Sequence, residues 1–270
     1  MLPDADRVTR LIEEAAAAEI MPRFRRLAAA DVREKGPGDL VTIADEAVEA
    51  RLAPLLTSLV PGSIVVGEEA AAADPNLLNR LLDDRPVWII DPVDGTSNFA
   101  EGRPAFAVMV ALVRGVDVLA AWIHDPVGAR TAVAAAGEGA WLGGRRLAVA
   151  PRPVDAGDMA GVLLSGFFGS RELGRRIDAR RNRVRALRSM RCAGLEYLRL
   201  ASGEMHFSLF TKLMPWDHAP GVLLHREAGG HAAYLEGGAY EPAAIRRSGL
   251  LLAPDPESWQ QLHTLLLGDD

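Results

Sequence analysis

Apolar positions recur with helical spacing in the first part of the chain. This spacing predicts a first helix within residues 6–30, which Pro22 should kink or divide, and a second helix that ends at Pro61-Gly62. Between them, the glycines and proline of residues 35–39 predict a loop, and residues 75–82 are predicted to be helical. The two apolar faces are Val8, Leu11, Ile12, Ala15 and Val48, Leu52, Leu55, Leu56.

Further along the chain, the apolar runs become shorter, and after residue 142 strand and helix patterns alternate. Four short apolar runs separated by Gly and Asp-Pro turns predict an antiparallel meander over residues 105–113, 116–122, 130–135 and 139–142. After them, strand and helix patterns alternate over residues 161–165, 170–179, 183–187, 193–202, 205–209, 217–227, 231–234, 249–253 and 256–267. The order of elements predicts the α+β class, as a layered α-β-α-β-α sandwich.

Composition narrows the class of protein. The chain has 270 residues, a size that suits one large unit, and no linker separates a first half (about 1–150) from a second (about 151–270). The net charge of −6 gives no reason to expect nucleic-acid binding. Cys192 is the only cysteine, so we expect a core thiol and a reducing compartment. No apolar run reaches membrane-spanning length and no signal sequence is apparent, so we expect a cytoplasmic protein.

The residues best suited to catalysis or metal binding are concentrated at the end of one predicted apolar strand. The run Trp88-Ile89-Ile90 leads directly into Asp91 and Asp94, followed by Gly95-Thr96. Two neighbouring carboxylates repel each other unless cations lie between them, and their oxygens suit Mg²⁺, Mn²⁺ or Ca²⁺. A helix that begins after Gly95 would direct free N–H groups towards a phosphate. Metal and phosphate at one strand end indicate phosphoester hydrolysis.

Three further acidic clusters lie at the ends of predicted elements. Thr42 and Asp45 fit a capping box at a helix start, which is a purely structural alternative to a catalytic role. Glu68 and Glu69 follow a short apolar strand, although paired glutamates on a loop are usually only solvated. Asp217 could cap the helix that follows it, and its neighbour His218 is expected to serve packing or the surface rather than a metal.

Together these motifs resemble one known family. The segment Asp91-Pro-Val-Asp-Gly-Thr-Ser-Asn resembles the first signature of the inositol monophosphatase family, and Trp216-Asp-His-Ala followed by Glu227-Ala-Gly-Gly resembles its second. The segments Gly67-Glu68-Glu69 and Asp39-Leu-Val-Thr-x-x-Asp45 resemble the family's other two motifs, in the right order. The resemblance spans about residues 5–265, which makes it far more specific than any single motif.

The resemblance implies a Mg²⁺-dependent, lithium-sensitive phosphatase, expected to be a homodimer, that acts on a small phosphorylated metabolite such as inositol monophosphate. One Mg²⁺ would be held by Glu68, Asp91 and the Val93 carbonyl, a second by Asp91, Asp94 and Asp217, and a third and weaker ion by Glu68. The family's acid–hydroxyl pair falls on Asp45 and Thr96, and the phosphate would meet the N–H groups of Gly95 and Thr96. Either this pair or Glu68 would accept the proton of the attacking water. Lys35 and Glu69 fall on flanking loops.

The substrate side departs from the inositol enzymes. The inositol enzymes have a Gly-Thr-Ala stretch in this region, and of its three residues this chain keeps only the glycine, Gly194. Phe210 occupies the position at which those enzymes have a glutamate that contacts ring hydroxyls. Since a polyol pocket needs a hydrogen-bond partner for each hydroxyl, the substrate is left open. Inositol 1-phosphate, histidinol phosphate, a sugar phosphate and a 3′-phosphonucleotide all stay as alternatives.

Two competing interpretations come from other classes of protein. A phosphatase of the haloacid-dehalogenase type would use Asp91 as a nucleophile, but that class spaces its acids as Asp-x-Asp and this chain has Asp-x-x-Asp. A regulatory binding protein would keep the fold without turnover, although every proposed metal ligand is present.

Overall fold

The computed structural model describes residues 2–36, 38–164 and 171–268. Pro37 of the predicted loop, and the predicted element ends Ser165 and Ser170, lie outside them. The α-helices are α1 (Ala5–Ala15), α2 (Ile43–Leu59), α3 (Glu68–Ala73), α4 (Thr96–Ala100), α5 (Arg171–Arg180), α6 (Ala193–Ala201), α7 (Pro215–Glu227) and α8 (Pro256–Leu267). The strands are β1 (Val32–Gly36), β2 (Asp39–Thr42), β3 (Ile64–Gly67), β4 (Val87–Asp94), β5 (Ala107–Arg114), β6 (Asp117–Asp125), β7 (Arg130–Ala135), β8 (Gly139–Leu142), β9 (Arg145–Arg146), β10 (Ala160–Leu164), β11 (Arg185–Leu187), β12 (Phe207–Phe210), β13 (His231–Tyr234) and β14 (Leu250–Ala253).

The larger sheet has the strand order β3-β4-β5-β6-β7-β8-β9. β3 runs parallel to β4, and every later pair in this sheet is antiparallel. The predicted meander is therefore confirmed, because the Gly-rich turns between these strands reverse the chain directly. β4 lies inside the sheet and all eight of its residues are buried.

Helices α1 and α2 cover one face of the larger sheet. Their side chains Ile12 and Leu52 share a core with Trp88, Ile90 and Trp122 from the strands, all at most 1 % exposed. Burying side chains of this size stabilises the fold by about 2–3 kcal/mol each, which fixes the position of α2 against β4. Among the described helices, none offers the length and apolar character that crossing a membrane requires.

Helices α6 and α7 fill the space between the two sheets. On the opposite face of β4 and β5, Ile89 and Met109 share a core with Tyr197 and Val222 of these helices. The smaller sheet, with the order β11-β10-β12-β14-β13, closes this core from the other side and contributes Leu250. Its outer face carries α5 and α8. The succession α-β-α-β-α is the predicted layered sandwich, so the fold class is confirmed.

The structure differs from the predicted elements at four places. The chain leaves the helical path before Pro22, because α1 continues only as a π-helical turn, Ala16–Ile20. The predicted loop at residues 35–39 is wrong at both ends, since β1 and β2 pair as a hairpin. Leu55 is 37 % exposed and does not belong to the buried face of α2. The predicted helix at residues 75–82 is a 3₁₀ helix, Pro75–Leu82.

Candidate active site

Asp91 and Asp94 lie three positions apart at the end of β4. In a regular strand, residues three apart point to opposite faces of the sheet. Here Asp91 lies opposite Met109 of β5 and Asp94 opposite Ala107, so β4 holds one extra residue between its two acids. This β-bulge directs Val93 into the core beneath α1 and α2. Both carboxylates are thereby left on the side of the sheet that faces α6 and α7.

Asp217 approaches the same point from the second half of the chain. It lies in the first turn of α7, which begins at Pro215, a residue suited to a helix start because the N–H it lacks would have no helical partner. The N-cap is Met214, so Asp217 is not the helix cap that the sequence left open. Asp91, Asp94 and Asp217 each offer an oxygen within 4.8 Å of the other two. Three of the predicted metal ligands therefore converge.

Glu68 lines the same cleft as the three acids, but its carboxylate forms an ion pair with Lys35. It begins α3 directly after β3, and its Oε1 lies 2.8 Å from Nζ of Lys35 on the hairpin. Lys35 also bonds Oε1 of Glu69 at 3.0 Å. Burial alone would lower the pKa of Lys35, but the charges of both glutamates outweigh it and the pKa is raised. Glu68 is not among the three acids whose oxygens converge.

A glutamate that sequence analysis did not identify supports this strand end. The two carboxylate oxygens of Glu49, on α2, accept hydrogen bonds of 2.9 Å from the backbone N–H groups of Glu69 and Ala70. Its carboxylate lies so close to Gly67 that a Cβ there would be 2.2 Å from it, which accounts for the glycine before Glu68. The available signal was the position of Glu49 four residues after Asp45, on the same helix face.

The acidic cluster carries more negative charge than its surroundings can stabilise. Asp91 is 1 % exposed, and its Oδ1 has no hydrogen-bond partner among the described residues. Burial raises the pKa of Asp91, and repulsion from Glu68, Asp94 and Asp217 raises it further. Burial and the charge of Asp217 raise the pKa of Asp94 to about 7. Buried carboxylates that repel each other, with an oxygen left free, fit a divalent cation with oxygen ligands.

Asp45 has two partners, one for each carboxylate oxygen. Its Oδ2 accepts hydrogen bonds from the N–H and the hydroxyl of Thr42, at 2.9 and 2.5 Å, which is the predicted capping box. Its Oδ1 lies 3.2 Å from Oγ1 of Thr96, which is also 2.9 Å from the Val93 carbonyl oxygen. Burial raises the pKa of Asp45 to about 7, against the hydrogen bonds from Thr42. The structural role and the contact with Thr96 therefore exist together.

Gly95 connects the acids to the short helix α4. Its φ of 85° lies in the left-handed region that glycine adopts at little cost. A Cβ at this position would also lie 2.8 Å from the carbonyl oxygen of Ala105. Both observations explain why glycine follows Asp94. Gly95 and Thr96 line the cleft beside the acids.

The N-terminus of α6 holds Asp94 in place. The N–H groups of Ala193 and Gly194 donate to Asp94 Oδ1 and Oδ2 at 3.1 and 2.6 Å. Cys192 is a buried thiol, as predicted, and its Sγ donates to Asp94 Oδ2 at 2.9 Å. Gly194, which the resemblance placed on the substrate side, contacts Asp94 through its N–H group. A Cβ at Gly194 would lie 3.0 Å from Cβ of Ala107, so the approach of the two backbones depends on glycine.

The segment before α6 is held by two side chains that the sequence did not single out. Nδ2 of Asn98 lies 2.8 Å from the carbonyl oxygen of Ala105 and 2.9 Å from that of Met190. Glu196 has no exposed surface, and its Oε1 accepts hydrogen bonds from the Ser189 hydroxyl at 2.7 Å and the Met190 N–H at 3.0 Å. Asn98 ends the first signature, which was a signal for importance but not for this contact.

Phe210, which lines the cleft, belongs to a group of packed aromatic side chains. The ring of Phe210 stacks on Tyr197 at a centroid distance of 5.3 Å and meets His218 edge-on at 4.8 Å. His218 is 1 % exposed, and its Nδ1 lies 2.9 Å from the Tyr197 hydroxyl. Burial lowers the pKa of His218 to about 4. His218 is therefore a packing residue, as predicted.

The cleft that these residues form has a volume of about 580 Å³, enough for a small metabolite. Its acidic side holds Asp39, Glu68, Asp91, Asp94 and Asp217. The rest of its wall includes Leu40, Leu163, Ser189, Arg191, Phe210, Thr211 and Lys212. An acidic floor beneath a mixed apolar and basic wall suits a phosphate ester whose alcohol part lies away from the acids.

Comparisons with known proteins match the chain to one sequence family. A sequence model described as "Inositol monophosphatase family" matches residues 4–269. An inositol-1-monophosphatase of Mesorhizobium japonicum is 35 % identical over 207 residues, covering 76 % of this chain and 75 % of the relative. The Nus factor SuhB of Escherichia coli is 32 % identical over 217 residues, covering 78 % of this chain and 77 % of the relative.

Solved structures agree with the fold. The extragenic suppressor protein suhB from Bartonella henselae has a TM-score of 0.79 at 25 % identity, covering 98 % of this chain and 100 % of that one. An IMPase from Thermotoga maritima has a TM-score of 0.78 at 24 % identity, covering 96 % of each chain. The layered sandwich is thus shared with these proteins.

Proposed function

Because the chain belongs to the inositol monophosphatase family, we propose that it is a Mg²⁺-dependent phosphatase that hydrolyses a small phosphate monoester by the attack of water. Membership of this family supports a phosphatase and a requirement for metal. It also removes the basis for the haloacid-dehalogenase alternative, whose catalysis depends on an aspartate nucleophile. The observation that carries the proposal is the convergence of Asp91, Asp94 and Asp217 around a buried oxygen of Asp91 that has no described partner.

Asp91, Asp94 and Asp217 would hold divalent metal, with the Val93 carbonyl and Glu68 as further ligands. For Glu68 to bind metal, its contact with Lys35 must loosen or be shared. When bound, the cations would supply Lewis-acid stabilisation of the phosphoryl charge and lower the pKa of water. Oxygen ligands of this kind suit Mg²⁺, and two or three ions are expected from the family resemblance.

The chain's own residues would guide the proton of the attacking water. Thr96 Oγ1 lies 3.2 Å from Asp45 Oδ1. When Thr96 donates its proton to Asp45, its oxygen is free to accept one from water, so Asp45 acts as the base through the hydroxyl. As the water oxygen bonds to phosphorus, the bond from phosphorus to the alcohol oxygen breaks, and the departing oxygen takes up a proton from solvent water to leave as the alcohol. Glu68 stays as the alternative base, since it lines the same cleft.

The phosphate would lie against Gly95 and Thr96, whose N–H groups are expected to meet its oxygens. Lys35 would contribute positive charge from the hairpin, although its ammonium is held by Glu68 and Glu69. Gly194 is better described as a positioning residue for Asp94 than as a substrate contact. These assignments predict that substitutions at Gly95 impair phosphate binding, whereas substitutions at Gly194 impair metal binding through Asp94.

Phe210, in the lining of the cleft, limits which substrates can bind. Phe210 offers no hydrogen bond to a ring hydroxyl, and a site that leaves hydroxyls unpaired rejects a polyol. We therefore infer that the substrate is not a fully hydroxylated ring. Lithium inhibition, the homodimer and the cytoplasmic location remain predictions from the resemblance and the composition.

The experiment that tests the function is a panel of phosphate monoesters assayed with Mg²⁺, with and without EDTA. Inositol 1-phosphate, histidinol phosphate, a sugar phosphate and 3′-phosphonucleotides form the panel. We expect release of phosphate that EDTA abolishes, with inositol 1-phosphate disfavoured. A strong preference for inositol 1-phosphate would refute the role given to Phe210, and no EDTA-sensitive release from any ester would refute the phosphatase.

A second candidate is a regulatory binding role, which the relatives named Nus factor SuhB favour at 30–32 % identity. Such a role does not need turnover. A pull-down with the wild type and with Asp91→Asn separates the two. Partners retained by the inactive variant would support binding beside catalysis, and the absence of any partner would count against it.

A further inference from the structure

Arg191 has a backbone conformation that an arginine rarely adopts. Its φ of 56° lies in the left-handed region, where a residue other than glycine costs about 1–3 kcal/mol. Arg25 has the same conformation at φ 61°, but there the side chain has structural partners. Its Nε donates to the Gly102 carbonyl at 3.0 Å, and its guanidinium lies 4.9 Å from the Phe24 ring centroid. The cost at Arg191 needs a different explanation.

The backbone around Arg191 is held from both sides. Its N–H donates to the Ser189 hydroxyl at 2.9 Å, and that hydroxyl donates to the buried Glu196 at 2.7 Å. Its carbonyl oxygen lies 3.2 Å from Nδ2 of Asn98. These contacts fix the direction of the main chain without using the Arg191 side chain, and a glycine at this position would make all of them.

The side chain of Arg191 is left available. Arg191 is exposed and lines the same cleft as Phe210 and the three converging acids. No described residue accepts a hydrogen bond from its guanidinium or forms an ion pair with it. A guanidinium presents parallel N–H groups that match the oxygens of a carboxylate or a phosphate.

We propose that Arg191 is a specificity-determining residue that binds a second anionic group, a carboxylate or a phosphate, on the alcohol part of the substrate. This inference rests on the proposed phosphatase function and names its substrate class. It explains why the left-handed position carries arginine, and it agrees with a cleft that offers Phe210 in place of a partner for hydroxyls. It disfavours histidinol phosphate, whose amine Arg191 would repel.

The test uses two pairs of esters that differ only in the second anion. One pair is 3′-phosphoadenosine 5′-phosphate and 3′-AMP, and the other is 2-phosphoglycerate and glycerol 2-phosphate. We expect the wild type to prefer the member with the second anionic group in at least one pair, and the pair identifies that group as phosphate or carboxylate. In Arg191→Gly this preference in kcat/KM should fall by roughly 10- to 100-fold, through KM, because one charge-assisted hydrogen-bonded pair is lost.

Arg191→Gly is a sharp variant because glycine relieves the backbone strain instead of adding to it. Its melting temperature should equal or exceed that of the wild type, and its kcat/KM for 3′-AMP and glycerol 2-phosphate should fall far less than its kcat/KM for the esters that carry a second anion. Arg191→Lys keeps the charge without the paired N–H groups and should restore only part of the preference. Arg188→Ala, an exposed arginine that does not line the cleft, is the matched control and should keep the wild-type preference.

Two results in Arg191→Gly would overturn the inference. One is an equal loss of kcat/KM for both members of a pair, and the other is an unchanged ratio of kcat/KM between them. If no ester is hydrolysed, the phosphatase proposal has failed, and calorimetric titration of the same pairs then decides the role of Arg191. If only the member with the second anionic group binds Arg191→Gly more weakly, the inference is still supported. Identical binding to the wild type and the variant would refute it.

Discussion

Gly194 donates a 2.6 Å hydrogen bond from its backbone N–H to Oδ2 of Asp94. The start of helix α6 therefore orients a carboxylate at the end of strand β4, and the positive end of the helix favours its charged form. A second N–H, from Ala193, binds the other oxygen of the same carboxylate at 3.1 Å. The geometry of the acidic cluster thus depends on the packing of a helix from the second half of the chain.

Gly194→Ala should weaken metal binding more than it weakens the fold. The added Cβ would lie 3.0 Å from Cβ of Ala107 and 3.2 Å from Asp94 Oδ2, so α6 must shift away from β5. We expect about 1–3 kcal/mol of lost stability and a roughly tenfold or greater rise in the Mg²⁺ concentration needed for half-maximal activity. Gly36→Ala, where a Cβ meets nothing within 4 Å, is the control. An unchanged Mg²⁺ dependence in Gly194→Ala would show that Asp94 needs no such support.

Asp91→Asn should abolish Mg²⁺-dependent phosphatase activity and leave a folded protein. The substitution keeps the shape of the side chain but removes a carboxylate that lies among the charges of Glu68, Asp94 and Asp217. We expect a loss of about 100-fold or more, because Lewis-acid stabilisation is worth several kcal/mol. Without metal the variant should melt at the same temperature as the wild type or higher, since the cost of burying this carboxyl group among other acids is gone. Near-normal turnover would contradict the proposed role.

Mg²⁺ or Mn²⁺ should raise the melting temperature of the wild type. A cation that binds only the folded state contributes about 2.7 kcal/mol at a hundred times its dissociation constant. Asp217→Asn should lose most of this shift, because Asp217 is one of the three acids whose oxygens converge. Asp117→Asn, at an exposed strand start, should keep it. Scanning fluorimetry with and without EDTA measures the effect, and a full shift in Asp217→Asn would exclude that residue as a ligand.

His225 should make the protein less stable in acid. Burial lowers its pKa from the ordinary 6.5 to about 4, even though its Nε2 bonds the Ala253 carbonyl at 3.0 Å. Protonation therefore favours the unfolded chain. The contribution of His225 is complete above about pH 6.5 and is lost as the pH falls towards 4, by about 3 kcal/mol in all.

Urea unfolding of the wild type and of His225→Gln at pH 8 and pH 5 measures this contribution. The glutamine keeps an N–H donor for the Ala253 carbonyl but does not titrate. The difference in unfolding free energy between the two pH values should be smaller in the variant by about 2 kcal/mol. Equal pH dependence in both proteins would assign the acid sensitivity to other groups.

Much of the fold could be read from local patterns. The meander followed from apolar runs separated by glycines, and the capping box of Thr42 and Asp45 followed from residue type and spacing. The hairpin at residues 35–39 could not be read in this way, because its glycines and proline favour a turn while the flanking residues Lys35 and Asp39 carry no strand pattern. The side chain of Lys35, on this hairpin, contacts the glutamates, which lie more than thirty positions away, and local sequence does not specify that contact.

The acids of the site could be predicted because each one follows a predicted strand or begins a predicted helix. Their supports could not, because these contacts join distant parts of the chain. Asn98 holds a carbonyl 92 positions later, and Gly194 lies 100 positions from Asp94. The role of Glu49 depended on how α2 packs over β3, which its own helical pattern does not specify. Arg191 became informative only through its backbone angle.

The bulge between Asp91 and Asp94 makes the cluster depend on how β4 pairs with β5 and not only on which side chains it carries. If the strand paired regularly through this stretch, residues three apart would lie on opposite faces, and one carboxylate would turn under helices α1 and α2, into the apolar region that Val93 now occupies. A protein that paired in this way would retain every acid and yet lose the cluster. Removing one residue between the acids would instead leave them two apart and on one face of a regular strand.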